Sequence, residues 1–497
     1  MTMSRLDTGV PLTFGATAKR VGMSHLPAHD HYAPTRLRRR RIVAATLALG
    51  DLTSALGSIQ LATLFVDSVV ASPIEGGAVS IAAPLLLVVN WCLGLYAGRG
   101  PSPIERLRLR ALGTLAFVTA AYILAAPVVA LGSLLLLLAC TSLVTLVLGY
   151  YIEAIVRRIL VRHGLWGAPA ALIGCNEASR DLAKMLIAQP ELGLRPVGFV
   201  GDLVDWEEGM ERLPIPILGS LTEASRLAAH VEVAILAGSN HLTSIDVAHI
   251  ARLPFANVVL VHDARDMQNF RLHTRTLGGS LGLEIRRDPR LSGNLWLKRL
   301  IDLLIAVPLG LASLPLIAAL AAVIKIVDPG PAFYAQNRVG HHGQPLRVFK
   351  LRTMYADAGQ RLKDHLSGDP LARAEWERYF KLSNDPRILP LFGNLFRRAS
   401  LDELPQLWNV IRGDMSMVGP RPFPSYHMEG FDQNFQSLRT SVAQGLTGLW
   451  QVSSRSNGDL EVQKAQDAFY IRNWSIWLDL FIILETLPAL LSAKGAK

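Results

Sequence analysis

"LKRLIDLLIAVPLGLASLPLIAALAAVIKIVDPGP", residues 297–331, decides how this chain is organised. Its apolar core, residues 303–324, is long enough to span a bilayer, for which about 20 apolar residues suffice. An ordinary membrane span is therefore one reading. Three features favour a re-entrant helix over 298–326, entering and leaving by one face. Lys298 and Arg299 precede the core and Lys325 follows it, so both ends carry positive charge. Pro308 and Pro315 remove backbone donors and favour a kink. The polar segments flanking the stretch are expected to share one side. Asp302 follows Lys298 by one turn, the i,i+4 spacing of an anchoring ion pair.

The same hydropathy extends toward the N-terminus. The chain has 497 residues, too many for one typical domain, and is 50% hydrophobic. Its mean hydropathy of +0.30 is high for a soluble protein. Four stretches are long enough to span a bilayer, roughly 42–66, 79–96, 112–128 and 129–151, within a membrane region over 35–160. Arginines at 36, 38, 39, 40 and 41 precede the first stretch, those at 99, 106, 108 and 110 divide the second from the third, and those at 157, 158 and 162 follow the fourth. The positive-inside rule puts these segments, and everything after residue 151, in the cytoplasm. Asp51 within the first stretch reads as a helix–helix hydrogen-bonding group. Residues 1–34 lack the apolar core of a signal peptide and read as a disordered tail.

The net charge of +10 suits an anionic membrane surface or phosphorylated substrates. No zinc-finger, helix-turn-helix or RNA-binding signature is present, so nucleic acid is not an expected partner. The three cysteines have neither metal-ligand nor disulfide spacing, in keeping with a reducing compartment.

Residues 168–285 read as a cytoplasmic module of alternating strands and helices, with a small parallel sheet and a Rossmann-like twist. Its first strand-to-helix turn is Gly174-Cys175-Asn176-Glu177-Ala178-Ser179. A dinucleotide fingerprint needs glycines where Asn176 and Ser179 stand, because the backbone must approach a pyrophosphate closely. A scaffold or regulatory role is the better reading, with a nucleotide site the alternative.

Beyond the re-entrant stretch the chain turns to chemistry. Residues 346–354 alternate like a strand, with Lys350 and Arg352 on one face. "SLDELPQLWNVIRGDMSMVGPRP", residues 400–422, follows. Asp402 and Glu403 suit a capping box begun by Ser400, but Pro405 is costly inside such a helix. A helix starting near Pro405 leaves both acids at its positive end, which lowers a carboxylate pKa. Adjacent carboxylates can divide labour: one attacks phosphorus, the other binds a divalent cation or handles a proton. Carboxylates plus substrate phosphates are also how Mg²⁺ is usually held. Arg421, between two prolines, offers a planar donor fork for a phosphoryl group. Arg439 and "GLTGLWQVSSR", with Gln451 and Arg455, complete a constellation suited to phosphoryl transfer beside a membrane anchor.

"KRLIDLLIA", "DPGPAFYAQNRVG", "FKLRTM", "SLDELPQLWNVIRGDMSMVGPRP", "GLTGLWQV" and "YIRNWSIWLDLFIILET" together resemble the bacterial sugar transferase family, the monotopic polyprenyl-phosphate phosphoglycosyl transferases, over residues 297–497. The preceding helices and α/β module are similar to the family's large members. The resemblance implies a multi-pass protein of the bacterial inner membrane. Its fold would join four transmembrane helices, the α/β module and a C-terminal mixed α/β catalytic domain on the cytoplasmic face. It implies transfer of hexose 1-phosphate from a UDP-hexose, galactose before glucose, to undecaprenyl phosphate, for exopolysaccharide, O-antigen or capsule synthesis. Asp402 would be the nucleophile. Glu403 would handle protons and, with Asp402, hold Mg²⁺. Lys350, Arg421 and Arg439 would contact phosphates or nucleotide, and the residue pattern itself adds Arg352 and Gln451 as phosphate-binding candidates. The family's re-entrant helix breaks at a Ser-Pro pair; here Pro315 matches, but Leu314 stands in the serine position. A homodimer is expected. The tail "NWSIWLDLFIILETLPALLSAKGAK" suits an interfacial helix, with a core helix the equal alternative. Two readings of other classes compete: a nucleotide-sugar dehydratase or epimerase, against which no Tyr-x-x-x-Lys occurs, and a non-catalytic membrane scaffold.

Overall fold

The apolar runs of the first third fold as helices that bury one another's faces. The computed structural model describes residues 36–70, 76–98, 101–127, 129–201, 213–220, 223–228, 231–237, 254–255, 257–261, 271–277, 280–286, 295–379, 382, 385–390, 392–453 and 460–491. The expected disordered tail over 1–34 and Arg455 lie outside them. The chain groups into two compact units, one drawing on 1–100, 117–141 and 148–263, the other on 101–116, 142–147 and 264–497.

In the first unit, α1 (Arg36–Val69), α2 (Gly77–Ser80), α3 (Ala83–Cys92) and the adjoining parts of α4 (Pro103–Ala125) and α5 (Leu131–Arg162) share a core. Ile59, Val66, Leu86, Phe117 and Leu134 are buried in it. Asp51 is buried there too, accepting from Asn90 Nδ2 at 2.8 Å and from the Tyr96 hydroxyl at 2.9 Å. An acid at this depth is tolerated because donors from the neighbouring helix and turn reach it.

Four helices among the described residues are long and apolar enough to cross a bilayer: 38–69, 103–125, 131–162 and 295–327. The expected second span over 79–96 is not among them. The chain turns at Ile81 and Ala82 between α2 and α3, and α3 has ten residues. At the usual rise α3 is about 15 Å long, half a hydrocarbon core. Left-handed Gly94 (φ 74°) lies in the turn that follows it. Hydropathy reports the apolar run but not these breaks.

The first unit continues into a five-stranded parallel sheet ordered β3-β2-β1-β4-β5. Its strands are β1 (Ala168–Ile173), β2 (Leu194–Val200), β3 (Ile217–Gly219), β4 (Val233–Ala237) and β5 (Val258–Val261). Every residue of β1 and β4 is buried, as expected of the inner strands of a covered parallel sheet. Helix α6 (Glu177–Ala188) packs on β1, β2 and β4, and the short α7 (Ala224–Leu227) precedes β4. Arg39 and Arg40 of α1 hold the buried Glu232 at the foot of β4.

The second unit begins with an antiparallel hairpin, β6 (Arg271–Leu277) and β7 (Ser280–Arg286), which forms a separate sheet. Helix α8 (Leu295–Val327) follows and is uninterrupted across Pro308 and Pro315. One side of it packs on this unit along its length. Ala306 is buried with Leu346, Val348, Leu407 and Val410, and beyond Pro315 Leu320 and Ile324 are buried with Leu351, Leu389 and Phe396. On its other side Leu304 (64%), Leu311 (64%) and Leu314 (56%) are exposed.

An antiparallel pair, β8 (Phe333–Val339) and β9 (Pro345–Leu351), lies against α8 and is followed by α9 (Ala358–Gly368) and α10 (Pro370–Tyr379). Then come α11 (Gly393–Arg398), α12 (Gln406–Arg412), β10 (Ser416–Val418), α13 (Ser425–Met428), α14 (Gln433–Thr440), β11 (Gly445–Thr447), α15 (Leu449–Ser453), α16 (Leu460–Arg472) and α17 (Ile476–Leu491). Strands β10 and β11 pair in parallel. Tyr470, Ile471, Trp474, Leu478 and Ile482 of the last two helices and their junction close the main core.

Candidate active site

Asp402 and Glu403 occupy a 3₁₀ turn, Leu401–Glu403, between α11 and α12. Ser400 precedes it in the left-handed region (φ 55°) and its side chain does not cap the turn, so no capping box forms. Pro405 is the N-cap of α12, in agreement with a helix starting there. Holding a serine in that conformation costs on the order of 1 kcal/mol, offset by the packing around it. Leu401 packs against the core around Leu320 and Ile324, and Leu404 against the core around Val410. The acid pair is thus pinned between two apolar anchors.

The two carboxylates have different surroundings. Glu403 is clamped: Lys350 Nζ of β9 donates to it at 2.7 Å, and Arg421 donates through both terminal nitrogens, one at 3.2 Å. Burial works against its charge, but Arg421 and Lys350 outweigh burial and hold its carboxyl well below the usual range. Asp402 is also buried, yet no hydrogen bond from the described residues reaches its carboxylate. Burial raises its pKa, Lys350 opposes, and the charge of Glu403 adds to the rise. The dipole reading of the sequence therefore does not describe Asp402, whose shift is upward and set by burial.

Neighbouring side chains hold the backbone that carries the two cations. Asn409 of α12 donates through Nδ2 to the Arg347 carbonyl at 2.7 Å and accepts from the Phe349 N–H at 3.2 Å, fixing β9 just ahead of Lys350. Arg421 sits where two prolines supply no N–H, and the four carbonyls from Pro420 to Phe423 each accept a hydrogen bond. The donors are the Gly445 N–H (2.9 Å) to Pro420, Arg439 to Arg421, Arg338 (3.1 Å) to Pro422 and the Val339 N–H (2.8 Å) to Phe423. Asn409 and Arg338 were not singled out from sequence. Amides at Gln406 and Asn409, one turn apart in an apolar helix, are the available signal for the first; nothing local marks the second.

Several expected phosphate contacts are placed otherwise. Arg352 lies just past the end of β9 and is buried, donating to the carboxylate of Asp328 at 2.7 Å and to its carbonyl. It fastens β9 to the end of α8 rather than facing Glu403. Arg439 is 1% exposed and donates to Asp467 at 2.9 Å, to Met428 Sδ and to the Arg421 carbonyl. Gln451 lines a cavity of about 410 Å³ with Glu403, Leu309, Ser313, Thr486 and Leu490, a mostly apolar space between α8 and α17 that reaches Glu403. Its Nε2 donates to the Leu446 carbonyl at 3.2 Å, while its buried Oε1 has no partner among the described residues.

The i,i+4 pair expected of Lys298 and Asp302 does not form. Lys298 donates to Asp479 of α17 at 2.7 Å and to the Val418 carbonyl at 3.0 Å. Asp302 accepts from Ser416 Oγ at 2.8 Å and from the Met417 N–H at 3.0 Å. Arg299 donates to the Val410 and Ile411 carbonyls at 2.6 and 2.7 Å, satisfying the C-terminal end of α12. An exposed helical ion pair is worth about 0.3–0.5 kcal/mol, less than these buried alternatives offer.

No group of three or more acidic, histidine or cysteine side chains that could hold a metal occurs among the described residues. Asp402 has open oxygens, whereas those of Glu403 are engaged by two cations. These residues fit Mg²⁺ only in the mode where substrate phosphates supply most of the ligands.

The family profile described as "Bacterial sugar transferase" matches residues 293–493. The chain is 31% identical over 358 residues to the undecaprenyl-phosphate galactose phosphotransferase of Salmonella typhimurium, covering 71% of this chain and 74% of that protein. It is 40% identical over 199 residues to the exopolysaccharide production protein ExoY of Sinorhizobium fredii, covering 40% and 87%. It is 38% identical over 206 residues to the UDP-glucose:undecaprenyl-phosphate glucose-1-phosphate transferase of Caulobacter vibrioides, covering 40% and 71%.

Proposed function

The chain belongs to the bacterial sugar transferase family, and from that premise we propose that it transfers hexose 1-phosphate from a UDP-sugar to undecaprenyl phosphate. The products are undecaprenyl diphosphate sugar and UMP. Galactose is the proposed sugar and glucose the alternative, since relatives named for each are similar to this chain. The product would serve exopolysaccharide synthesis, in which one relative is named, or O-antigen or capsule synthesis.

The observation that carries the mechanism is the division between the two acids. Asp402 attacks the sugar-linked phosphorus; the bond to UMP breaks and an aspartyl phosphosugar forms. An oxygen of undecaprenyl phosphate then attacks the same phosphorus, and the Asp402 carboxylate is released. Glu403 keeps Lys350 and Arg421 in place, and their free donor capacity faces the charge that develops on phosphorus. Mg²⁺ bound with the diphosphate would supply further charge neutralisation beside Asp402 and Glu403. The apolar cavity beside Glu403 suits the first units of the lipid chain.

The site is proposed to work at the cytoplasmic face of the bacterial inner membrane, as a homodimer. The arginines flanking α1 and α5 support that orientation. The positive charge at both ends of α8 and the packing of both its halves on one unit are the support for a re-entrant course, although the helix itself runs on without a break at Pro315. The strand order β3-β2-β1-β4-β5 supports a Rossmann-like scaffold. Membranes containing the protein, given polyprenyl phosphate and UDP-galactose or UDP-glucose, should release UMP, faster with galactose. No UMP from either sugar would sink the reading.

A further inference from the structure

We infer that Arg439 and Arg338 are positioning residues that set the place of Arg421 through its main chain, and that Arg439 touches no phosphate. This rests on the phosphoryl-transfer reading of the Glu403–Arg421 site. Three observations carry it.

Arg439 is closed off from any substrate. It is 1% exposed, its guanidinium lies 3.9 Å over the Phe423 ring, and its nitrogens donate to Asp467, Met428 and the Arg421 carbonyl. Asp467 comes from α16 and Phe423 from the segment just past Arg421, so the brace joins three elements behind the site. Arg338 acts one residue along. Its Nε and one terminal nitrogen hold Gln336 Oε1 at 3.0 and 2.6 Å, and the other reaches the Pro422 carbonyl at 3.1 Å.

The braced segment has little other means of holding its shape. Pro420 and Pro422 have no N–H to donate, so the segment is fixed chiefly through its carbonyls, two of which end on these arginines. A guanidinium carried by such a segment follows any shift of its backbone. A misplacement of about 1 Å at a reacting centre costs on the order of 100-fold in rate.

The test is a double-mutant cycle on the single-turnover rate of UMP formation. Arg439→Lys keeps a cation for Asp467 and cannot reproduce the three-way bonding; Arg338→Lys leaves no buried charge unpaired. Each should slow UMP formation by on the order of 10–100-fold. Combined with Arg421→Ala, each should add less than about twofold, because the group it positions is gone. Costs that multiply in full with Arg421→Ala would overturn the inference, since a residue with its own phosphate contact acts independently. So would wild-type rates in the single variants. Thermal unfolding of each variant is measured alongside. If Arg439→Lys does not fold, the Arg338→Lys cycle decides whether the brace exists. Absence of UMP from the wild-type protein would instead count against the phosphoryl-transfer reading itself.

Discussion

Two of the turns that lead into helices, the one after β1 and the one before α12, are equipped in opposite ways. In the α/β module the turn after β1 keeps one fingerprint glycine, Gly174, in the left-handed region (φ 83°). Asn176 then fills the next place with its side chain. Its Oδ1 accepts from the Ser179 N–H at 2.8 Å and its Nδ2 donates to the Ala237 carbonyl at 2.9 Å. A donor that a pyrophosphate would use is already satisfied from within. At the turn before α12 the side chains are tied down around an opening: Glu403 is saturated, Lys350 and Arg421 are aimed, and Asp402 is left unbonded among the described residues. The first turn satisfies its own donor, whereas the second leaves a buried carboxylate unbonded between tied-down neighbours.

Substitutions can break that contrast. The largest effect is expected from Asp402→Asn, which should lower UMP release by on the order of 10⁴-fold or more, as removal of a covalent nucleophile does. Full turnover in that variant would remove the basis for the division of labour. Arg421→Ala deletes a donor aimed at developing charge and should cost about 10²–10³-fold in rate with the fold retained; an unchanged rate would make the Arg421–Glu403 pair merely structural.

Glu403→Gln sharpens the comparison through pH. Burial raises the Asp402 pKa, so the acid limb of the first half-reaction should be shifted upward from that of an ordinary aspartate, with activity lost as pH drops and Asp402 takes a proton. Removing the negative neighbour frees Lys350 and Arg421 to act on Asp402, so the limb of the residual activity should move to lower pH. A shift upward would contradict the assigned causes. The smallest effect belongs to the other turn: Asn176→Ala should cost about 1 kcal/mol of stability through loss of a helix cap, with catalysis unchanged. A large loss of activity there would mean that the module takes part in the reaction.

The contrast also shows what the sequence could convey. The acid pair ahead of Pro405, the arginine between prolines and the alternation around Lys350 were legible because local chemistry dictates them. Lys298 was misread because the i,i+4 rule is local, whereas its partner Asp479 lies 181 residues away. Residue type and motif make Arg439 a candidate phosphate ligand and carry no information about burial; only the fold brings Asp467 and Phe423 around it. The apolar run over 79–96 folds as two short helices, α2 and α3, rather than one long one, because hydropathy registers an apolar run and is blind to the turn at Ile81 and Ala82.

The central claim is that Asp402 becomes covalently loaded before the lipid arrives, and one measurement tests it most directly. Protein mixed with UDP-galactose or UDP-glucose, without any polyprenyl phosphate, is followed for UMP and then examined intact by mass spectrometry. The account predicts a burst of UMP stoichiometric with active sites, and protein heavier by one hexose phosphate, mapping to the peptide that carries Asp402 and absent from Asp402→Asn. UMP that appears only when the lipid acceptor is present, with no change in protein mass, would contradict it.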